Sequence, residues 1–329
     1  MYTRTSTKTQ EVSKRILVTY LPVIHHNMYL NAALCTAALQ VTGWAVASAL
    51  RTETFYDVLG GLNFMVLALL STKFDENWTA TPRTLAVTWT FVASRAWLLT
   101  FLAWRSHERG GDSRFDPVLR PKKGPIQYGR FLVFWILQGV WVYCLSLPML
   151  YVNNASSTGF EAPALESSLR DQILLAGFIL GVVIEIFADV QKAMWVKAGR
   201  IGGFCTDGIW SLSRHPNYFG EMSQWACCWL LALSSSSSGI YDSVWWVTAL
   251  SPLFTFQILL RTPATGVAQA NGKGLKRYYE SEHKERYVEY RASTSILLPM
   301  VGYKHVPAWL KRTVCLDLER YEYKPKQKK

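Results

Sequence analysis

Residues Ile173–Val190 read ILLAGFILGVVIEIFADV, and every one of them except Glu185 and Asp189 is apolar or glycine. A helix of this length spans about 27 Å, close to the thickness of the hydrocarbon core of a membrane. The two carboxylates lie one helical turn apart and therefore on one face. Because charged side chains within a span are costly, this stretch predicts a membrane-spanning helix that carries a polar site.

Six further apolar stretches are candidate membrane helices, of which one, Tyr218–Leu233, is short for a span. They are Tyr29–Leu50, Phe55–Ser71, Thr84–Trp104, Phe131–Tyr151, Tyr218–Leu233 and Ile240–Leu260. We therefore predict an all-α polytopic membrane protein of about seven transmembrane helices. A polar tail at residues 1–28 and a basic cytoplasmic tail at residues 300–329 flank the membrane domain at 29–299.

The net charge of +12 fits nucleic acid, anionic lipid or a phosphorylated ligand, and its distribution along the chain separates these. Residues 105–130 hold seven Lys or Arg against three acids, and residues 261–329 hold fifteen against seven. Residues 152–172 hold one Arg against three acids. The positive-inside rule then places the C-terminus in the cytoplasm, so we expect membrane lipids and no nucleic acid as partners. Sequons at Asn77 and Asn154 fall in loops predicted on the opposite side.

The six cysteines have no C-x-x-C spacing, which predicts neither a metal site nor a disulfide framework. The first 20 residues are polar and basic, so no cleavable signal peptide is expected. The first helix is expected to direct membrane insertion.

A dense polar stretch, SRHPNYFGE at residues 213–221, precedes and enters the sixth predicted span. Arginine, histidine, asparagine and a carboxylate at a helix N-terminus suit an anionic ligand that carries an amide. The alternative is a capped helix with a solvated basic entry. Upstream, Lys192 lies on the same helix face as Glu185 and Asp189. These three residues form either part of a functional site or an interhelical ion pair. The turn GRIGG at residues 199–203 follows a helix, so it is no dinucleotide fingerprint. It is either a turn between two membrane helices or a place where the backbone approaches a ligand closely.

Together with YDVLGGLNF at residues 56–64 and GDSRFD at 111–116, this stretch resembles uncharacterised membrane proteins grouped with the steroid 5α-reductases. The similarity covers residues 55–299. Such reductases are seven-helix membrane proteins that hold NADPH in a cytoplasm-facing cavity and reduce the carbon–carbon double bond of an enone. The resemblance implies NADPH as cofactor, a lipophilic substrate from the bilayer and a location in the endoplasmic reticulum.

The resemblance also implies roles for individual residues. Glu221 would accept from the nicotinamide amide nitrogen, and Asn217 would donate to the amide oxygen. Glu185 and Asp189 would hold the adenosine half. The other cofactor-binding residues implied, or suggested by their position near the proposed site, are Arg95, Arg105, Lys197, Arg200, Arg214, His215, Tyr278 and Tyr279. On this reading, candidate donors to the substrate carbonyl are Tyr56, Tyr218 and Asp57, the last with its carboxyl kept neutral by apolar surroundings.

Two positions depart from the reductase pattern. Val92 stands where those enzymes have a tyrosine, three residues before the third-helix arginine, and only Asp57 approximates their second-helix glutamate. One alternative is an S-adenosylmethionine-dependent membrane methyltransferase, because those enzymes share an Arg-His-Pro-x-Tyr-x-Gly entry. Here, however, Ser281 separates Glu280 from Glu282, which those enzymes have as an adjacent pair. The other alternative is a non-enzymatic scaffold that binds a sterol or lipid on the same fold.

Overall fold

The computed structural model describes residues 28–109, 112, 114–158, 160–262, 265–271, 275–318, 321 and 323. These residues form helices without a strand, and one isolated parallel bridge joins Ser213 to Ser295. The α-helices are α1 (Met28–Leu50), α2 (Tyr56–Ser71), α3 (Pro82–Arg109), α4 (Asp116–Leu119), α5 (Tyr128–Ser157), α6 (Leu169–Lys197), α7 (Pro216–Ala232), α8 (Ser243–Thr248), α9 (Leu250–Phe256), α10 (Gly266–Asn271), α11 (Lys276–Tyr279), α12 (Lys284–Ser293) and α13 (Ala308–Thr313).

Within the part of the chain that the structure describes, five helices are long and apolar enough to cross a membrane. They are Met28–Leu50, Pro82–Glu108, Tyr128–Ser157, Leu169–Lys197 and Ser243–Ala270. Large apolar side chains on them are exposed, among them Leu180 at 57% and Leu253 at 62%, as expected of surfaces that face lipid. The chain is therefore an integral membrane protein. The predicted spans at α2 and α7 are helices of only 16 and 17 residues.

Capping residues fix where α3 and α8 begin. Thr81 and Thr84 exchange hydrogen bonds at the start of α3, because each backbone amide donates to the other residue's hydroxyl at 2.9 and 3.2 Å. Asp242 caps α8 by accepting from the amides of Val244 at 2.8 Å and Trp245 at 3.3 Å. Such caps satisfy amides that have no partner inside the helix.

The predicted loop position of Asn154 is wrong. The apolar sequence ends near Tyr151, but α5 continues to Ser157 and contains Asn154 in its last turn. The reason lies one residue earlier, because the fully buried Asn153 donates to the hydroxyls of Ser71 at 2.8 Å and Thr88 at 3.1 Å. These bonds allow a polar side chain to extend a helix beyond its apolar stretch.

The chain divides into two compact units. The first comprises residues up to Ser168 together with Ala232–Thr248, and the second comprises Leu169–Leu231 and Ala249–Lys329. The N-terminal tail and the end of the predicted C-terminal tail lie outside the described residues.

The core of the first unit contains aromatic rings and buried polar side chains. The ring of Tyr56 packs edge-on against Phe115 at 4.9 Å and Trp135 at 5.1 Å. Gln40 of α1 donates to Asn63 of α2 at 3.1 Å, so the two helices share a buried amide pair. Hydrogen bonds of this kind fix the register of neighbouring membrane helices.

Candidate functional site

The polar residues predicted on α6 and α7 meet in a helical pair within the second unit. A Cβ added at Gly220 would lie 2.6 Å from the carbonyl oxygen of Gly181 and 2.9 Å from the amide nitrogen of Glu185. No side chain fits at this position without moving the helices apart, as is usual where membrane helices cross on small residues. The crossing therefore sets the carboxylates of α6 beside the first turns of α7.

Two amide side chains of α7 donate to the two carboxylates of α6. Gln224 Nε2 donates to Glu185 Oε2 at 2.6 Å, and Asn217 Nδ2 donates to Asp189 Oδ1 at 3.2 Å. Glu185 and Asp189 are 4% and 7% exposed, so both bonds form away from water. Since a buried carboxylate needs donors, these bonds stabilise the pairing of α6 with α7.

The carboxamide of Asn217 has one end satisfied by this pairing. A carboxylate can only accept, so the Asn217 atom that faces it must be the nitrogen. The other atom, Oδ1, is buried and has no hydrogen-bond partner among the residues that the structure describes. Asn217 was predicted to donate a hydrogen bond to a ligand, but its donor nitrogen faces Asp189. The atom that remains available is the acceptor oxygen Oδ1. Glu221 lies one turn further along α7 and is half-buried.

Arg214, directly before α7, is tied to the C-terminal part of the chain. Its guanidinium pairs with the carboxylate of Asp317, and its Nε donates to the carbonyl oxygen of Thr294 at 3.1 Å. Asp317 also accepts from the hydroxyl of Tyr303 at 2.9 Å. The charge of Arg214, predicted to bind a ligand, is therefore compensated within the protein.

Ring stacking and hydrogen bonds fix the other residues around the start of α7. The rings of His215 and Tyr218 stack with their centroids 5.1 Å apart and their planes 2° from parallel. The hydroxyl of Ser213 donates to the carbonyl oxygen of Leu297 at 2.7 Å and accepts from the amide of His215 at 3.2 Å. The predicted site residue Tyr218 is thereby set at the start of α7 with its ring orientation fixed.

The cations near the end of α6 lie in two different environments, one against aromatic rings and one exposed. The Lys192 ammonium lies over the rings of Trp210 at 4.3 Å and Trp195 at 4.9 Å, a cation–π arrangement, rather than with the acids of its own helix. Lys197 and Arg200 are exposed. Arg200 has a φ of 58°, the left-handed region that favours glycine, in the glycine-rich turn after α6.

The predicted cofactor residues Tyr278 and Tyr279 lie in an aromatic cluster beside α12. Tyr278 packs against Tyr287 at 4.5 Å and accepts from Arg277 at 2.7 Å, while Tyr279 accepts from Arg291 at 2.7 Å. Both predicted tyrosine hydroxyls are therefore engaged with cations of the same segment.

The two predicted arginines of α3 belong to the first unit. Arg95 is fully buried, its Nη2 donates to the hydroxyl of Ser94 at 2.8 Å, and its guanidinium lies 5.6 Å from the ring centroid of Phe64. Arg105 lies 5.8 Å from the ring centroid of Phe101. A fully buried guanidinium requires acceptors around it, so Arg95 is a fixed part of this core.

The predicted substrate-carbonyl donors of the first unit are both engaged. Tyr56 donates its hydroxyl to the carbonyl oxygen of Phe134 at 2.9 Å, and Asp57 accepts from Arg114 at 3.2 Å. Arg114 also pairs with Asp112. Burial opposes the ionisation of Asp112, but hydrogen bonds from the side chain and amide of Arg114 hold its pKa below the usual range. A charged network therefore surrounds the start of α2.

Three residues of these polar clusters were not among the predicted site residues. Gln224 follows Asn217 by seven residues and so lies on the same helix face, a signal that could have been used. Glu53, which is 7% exposed and accepts from Arg120 at 2.5 Å, precedes the start of α2. Asp317 had no signal, because its partner Arg214 is distant in the sequence.

The described residues contain no group of three His, Cys, Asp or Glu that could hold a metal ion, and the six cysteines are free thiols. The described residues define an all-helical integral membrane protein in which buried polar side chains join α6 to α7. The family model described as protein of unknown function DUF1295 matches residues 43–294. The chain therefore belongs to the DUF1295 family. No curated protein and no solved structure shows a significant match.

Proposed function

We propose that the protein is a membrane NADPH-dependent reductase of the steroid 5α-reductase-like branch, acting on the carbon–carbon double bond of a lipophilic enone. One observation carries the proposal. The oxygen of the Asn217 carboxamide is buried without a hydrogen-bond partner in the described part of the chain, while the nitrogen is held by Asp189. A buried acceptor left in this state costs about 1–3 kcal/mol, which a ligand with an N–H donor would offset.

The residues around Asn217 suit the carboxamide of a nicotinamide. The N–H groups of the nicotinamide carboxamide can donate hydrogen bonds to Asn217 Oδ1 and to the Glu221 carboxylate. Lys197 and Arg200 are exposed cations of the same unit that can bind cofactor phosphates. Arg214 fits that role poorly, because Asp317 already compensates its charge. When bound, NADPH would supply the hydride for the reduction.

Tyr218 is the substrate-facing donor that we favour in this unit. Tyr218 follows Asn217 directly in the chain, and its ring is fixed by stacking on the ring of His215. A phenol at this position can donate a hydrogen bond to a carbonyl oxygen and stabilise the charge that develops on it. The position of the site on membrane helices supports a lipophilic substrate.

The proposal includes seven spans, with α2 and α7 as the two short ones. Helices of 16 and 17 residues rise about 24–26 Å, slightly less than a typical hydrocarbon core, so local thinning or flanking residues would complete the crossing. The basic loops then lie in the cytoplasm with the C-terminus. Location in the endoplasmic reticulum is part of the proposal and follows from the resemblance.

The test is purification in mild detergent, mass spectrometry of any bound nucleotide, and titration with NADPH, NADH and S-adenosylmethionine. We expect NADPH to bind and to be oxidised in the presence of one or more enones from a panel of sterols and lipids. Binding of S-adenosylmethionine in place of NADPH would assign methyl transfer. NADPH binding without oxidation by any enone of the panel would favour the scaffold.

A further inference from the structure

An open groove of about 850 Å³ runs along the last membrane helix of the second unit. Its volume lies within the range of about 300–1,000 Å³ that is usual for small-molecule sites. One wall comes from α9 and the helical turn after it, and the other comes from Leu316, Leu318 and Tyr321. The apolar side chains that line it include Leu250, Leu253, Phe256, Leu260, Leu316 and Leu318.

The groove lies beside a segment where the helix changes its hydrogen-bonding pattern. Gln257–Arg261 form a π-helix, an uncommon element that is frequent at functional sites. Its carbonyl oxygens accept from side chains, since Thr265 donates to Ile258 at 2.6 Å and Tyr321 donates to Leu260 at 2.5 Å. These bonds hold the wide turn in a defined shape.

The opposite wall is equally fixed. Leu316 has a φ of 57°, a conformation that favours glycine, and it packs with Leu318 against a buried cluster around Leu260 and Tyr321. The neighbouring Asp317 is held by Arg214 and Tyr303. The groove is therefore a formed site rather than a gap beside a loose tail.

The groove is lined mostly by apolar side chains and has one charged residue at its end. Leu253 is 62% exposed on a helix long and apolar enough to span the membrane, so the groove opens where lipid is the solvent. Arg261, exposed at the end of the π-helix, carries the only charge among the described lining residues. An apolar channel that ends at one guanidinium matches an acyl chain attached to an anionic head group.

We propose that this groove binds one anionic phospholipid, with an acyl chain along Leu250, Leu253 and Phe256 and the head-group phosphate at Arg261. The inference does not depend on the proposed reductase activity, because none of these residues belongs to the Asn217 site. The lipid would be a bound component of the protein rather than its substrate.

The test is native mass spectrometry of the full chain in mild detergent, titrated with phosphatidylserine or phosphatidylcholine. We expect one phosphatidylserine to be retained per chain, and phosphatidylcholine to be retained more weakly. Arg261→Gln should lower phosphatidylserine affinity about tenfold or more and remove the preference, since it removes a charge-assisted contact. Leu253→Trp should lower the retention of both lipids by filling the groove.

Matched controls separate this site from general lipid contact. Lys304→Gln removes an exposed cation elsewhere in the unit, and Leu180→Trp enlarges a lipid-exposed side chain of α6. Both should leave retention unchanged. Equal retention of the two lipids by wild type, equal losses in the controls, preferential retention of a neutral sterol, or displacement by glycerol 3-phosphate would each overturn the proposal.

Discussion

The buried guanidinium of Arg214 pairs with the carboxylate of Asp317, a residue 103 positions later in the chain. The side chains are 3% and 14% exposed, so the pair is almost removed from water. The arginine lies directly before α7, and its partner lies between Leu316 and Leu318, which line the groove beside α9. One ion pair thus joins the entry to the candidate site and the C-terminal segment.

Removal of the Asp317 charge should destabilise the second unit. Asp317→Asn leaves Arg214 buried without a counter-charge, which typically costs about 3–5 kcal/mol. The measurement is thermal melting in detergent. The control is Lys276→Gln, which breaks an exposed pair with Glu280 and should cost less than about 1 kcal/mol. Equal melting of the two variants would contradict a stabilising role for the buried pair.

The helix pair should tolerate an exchange of Asn217 and Asp189 better than either single change. Asn217→Asp places two carboxylates in contact, and Asp189→Asn replaces a charged acceptor by a neutral one. The double variant restores one donor and one acceptor and still presents an oxygen from position 217. We expect each single variant to lose about 1–3 kcal/mol and the double variant to recover most of it.

NADPH titration of the same variants distinguishes structure from ligand binding. Affinity should fall in the single variants and return in the double variant. Recovery of the melting temperature without recovery of NADPH affinity would show that the Asn217–Asp189 bond acts on the fold alone.

Glu221→Gln should weaken NADPH binding with little change in stability. The substitution keeps the shape of the side chain but turns one acceptor into a donor that faces another donor. Loss of a charged hydrogen bond of about 1.5–3 kcal/mol corresponds to roughly tenfold to a hundredfold in affinity. The exposed Glu289 of α12 provides the control Glu289→Gln, which should bind NADPH as wild type does. An unchanged affinity for Glu221→Gln would remove Glu221 from the site.

Gly220→Ala should separate α6 from α7. The new methyl group would overlap the Gly181 carbonyl oxygen and the Glu185 backbone, and such overpacking costs about 1–3 kcal/mol. Gly129 of α5 has nothing within 4 Å of an added Cβ, so Gly129→Ala should be neutral or stabilising by about 0.5–1 kcal/mol. Thermal melting compares them, and a stable Gly220→Ala would argue against a close crossing.

Cysteine labelling tests the orientation. Asn77 and Lys122 are exposed in loops on either side of α3. A membrane-impermeant maleimide should label Asn77→Cys on the non-cytoplasmic face of intact vesicles and Lys122→Cys only from the cytoplasmic face. The wild-type protein, with its own cysteines, measures the background. The reverse pattern would place the C-terminus and the second unit's exposed cations on the wrong side for a cytoplasmic cofactor.

The sequence predicted the positions of the helices well because span length and apolar composition follow from the thickness of the membrane. It predicted less about where helices are interrupted. The single stretch Ile240–Leu260 is divided into α8, α9 and a π-helix, and the hydrogen bonds that Thr265 and Tyr321 make to the π-helix come from later in the chain. Local composition does not reveal such distant partners.

The candidate site shows the same division. The i, i+4 spacing placed Glu185 with Asp189 and Asn217 with Glu221 on common helix faces, which the helices α6 and α7 provide. Which end of the Asn217 amide remains available depends on Asp189 of another helix, and the role of Arg214 depends on Asp317. Pairing between helices is a tertiary property that the spacing of residues along one helix does not determine.

The division of the chain into two units affects how the protein is made. The chain leaves the second unit after Leu231, contributes Ala232–Thr248 to the first unit, and returns at Ala249. The hydrogen bond of 2.5 Å from Tyr151 to Asp242 belongs to the first unit but needs a residue synthesised after both α6 and α7. The first unit therefore cannot be completed on the ribosome before the candidate site helices have emerged. A nascent chain that stops before Asp242 should remain an incomplete client of the membrane-insertion machinery.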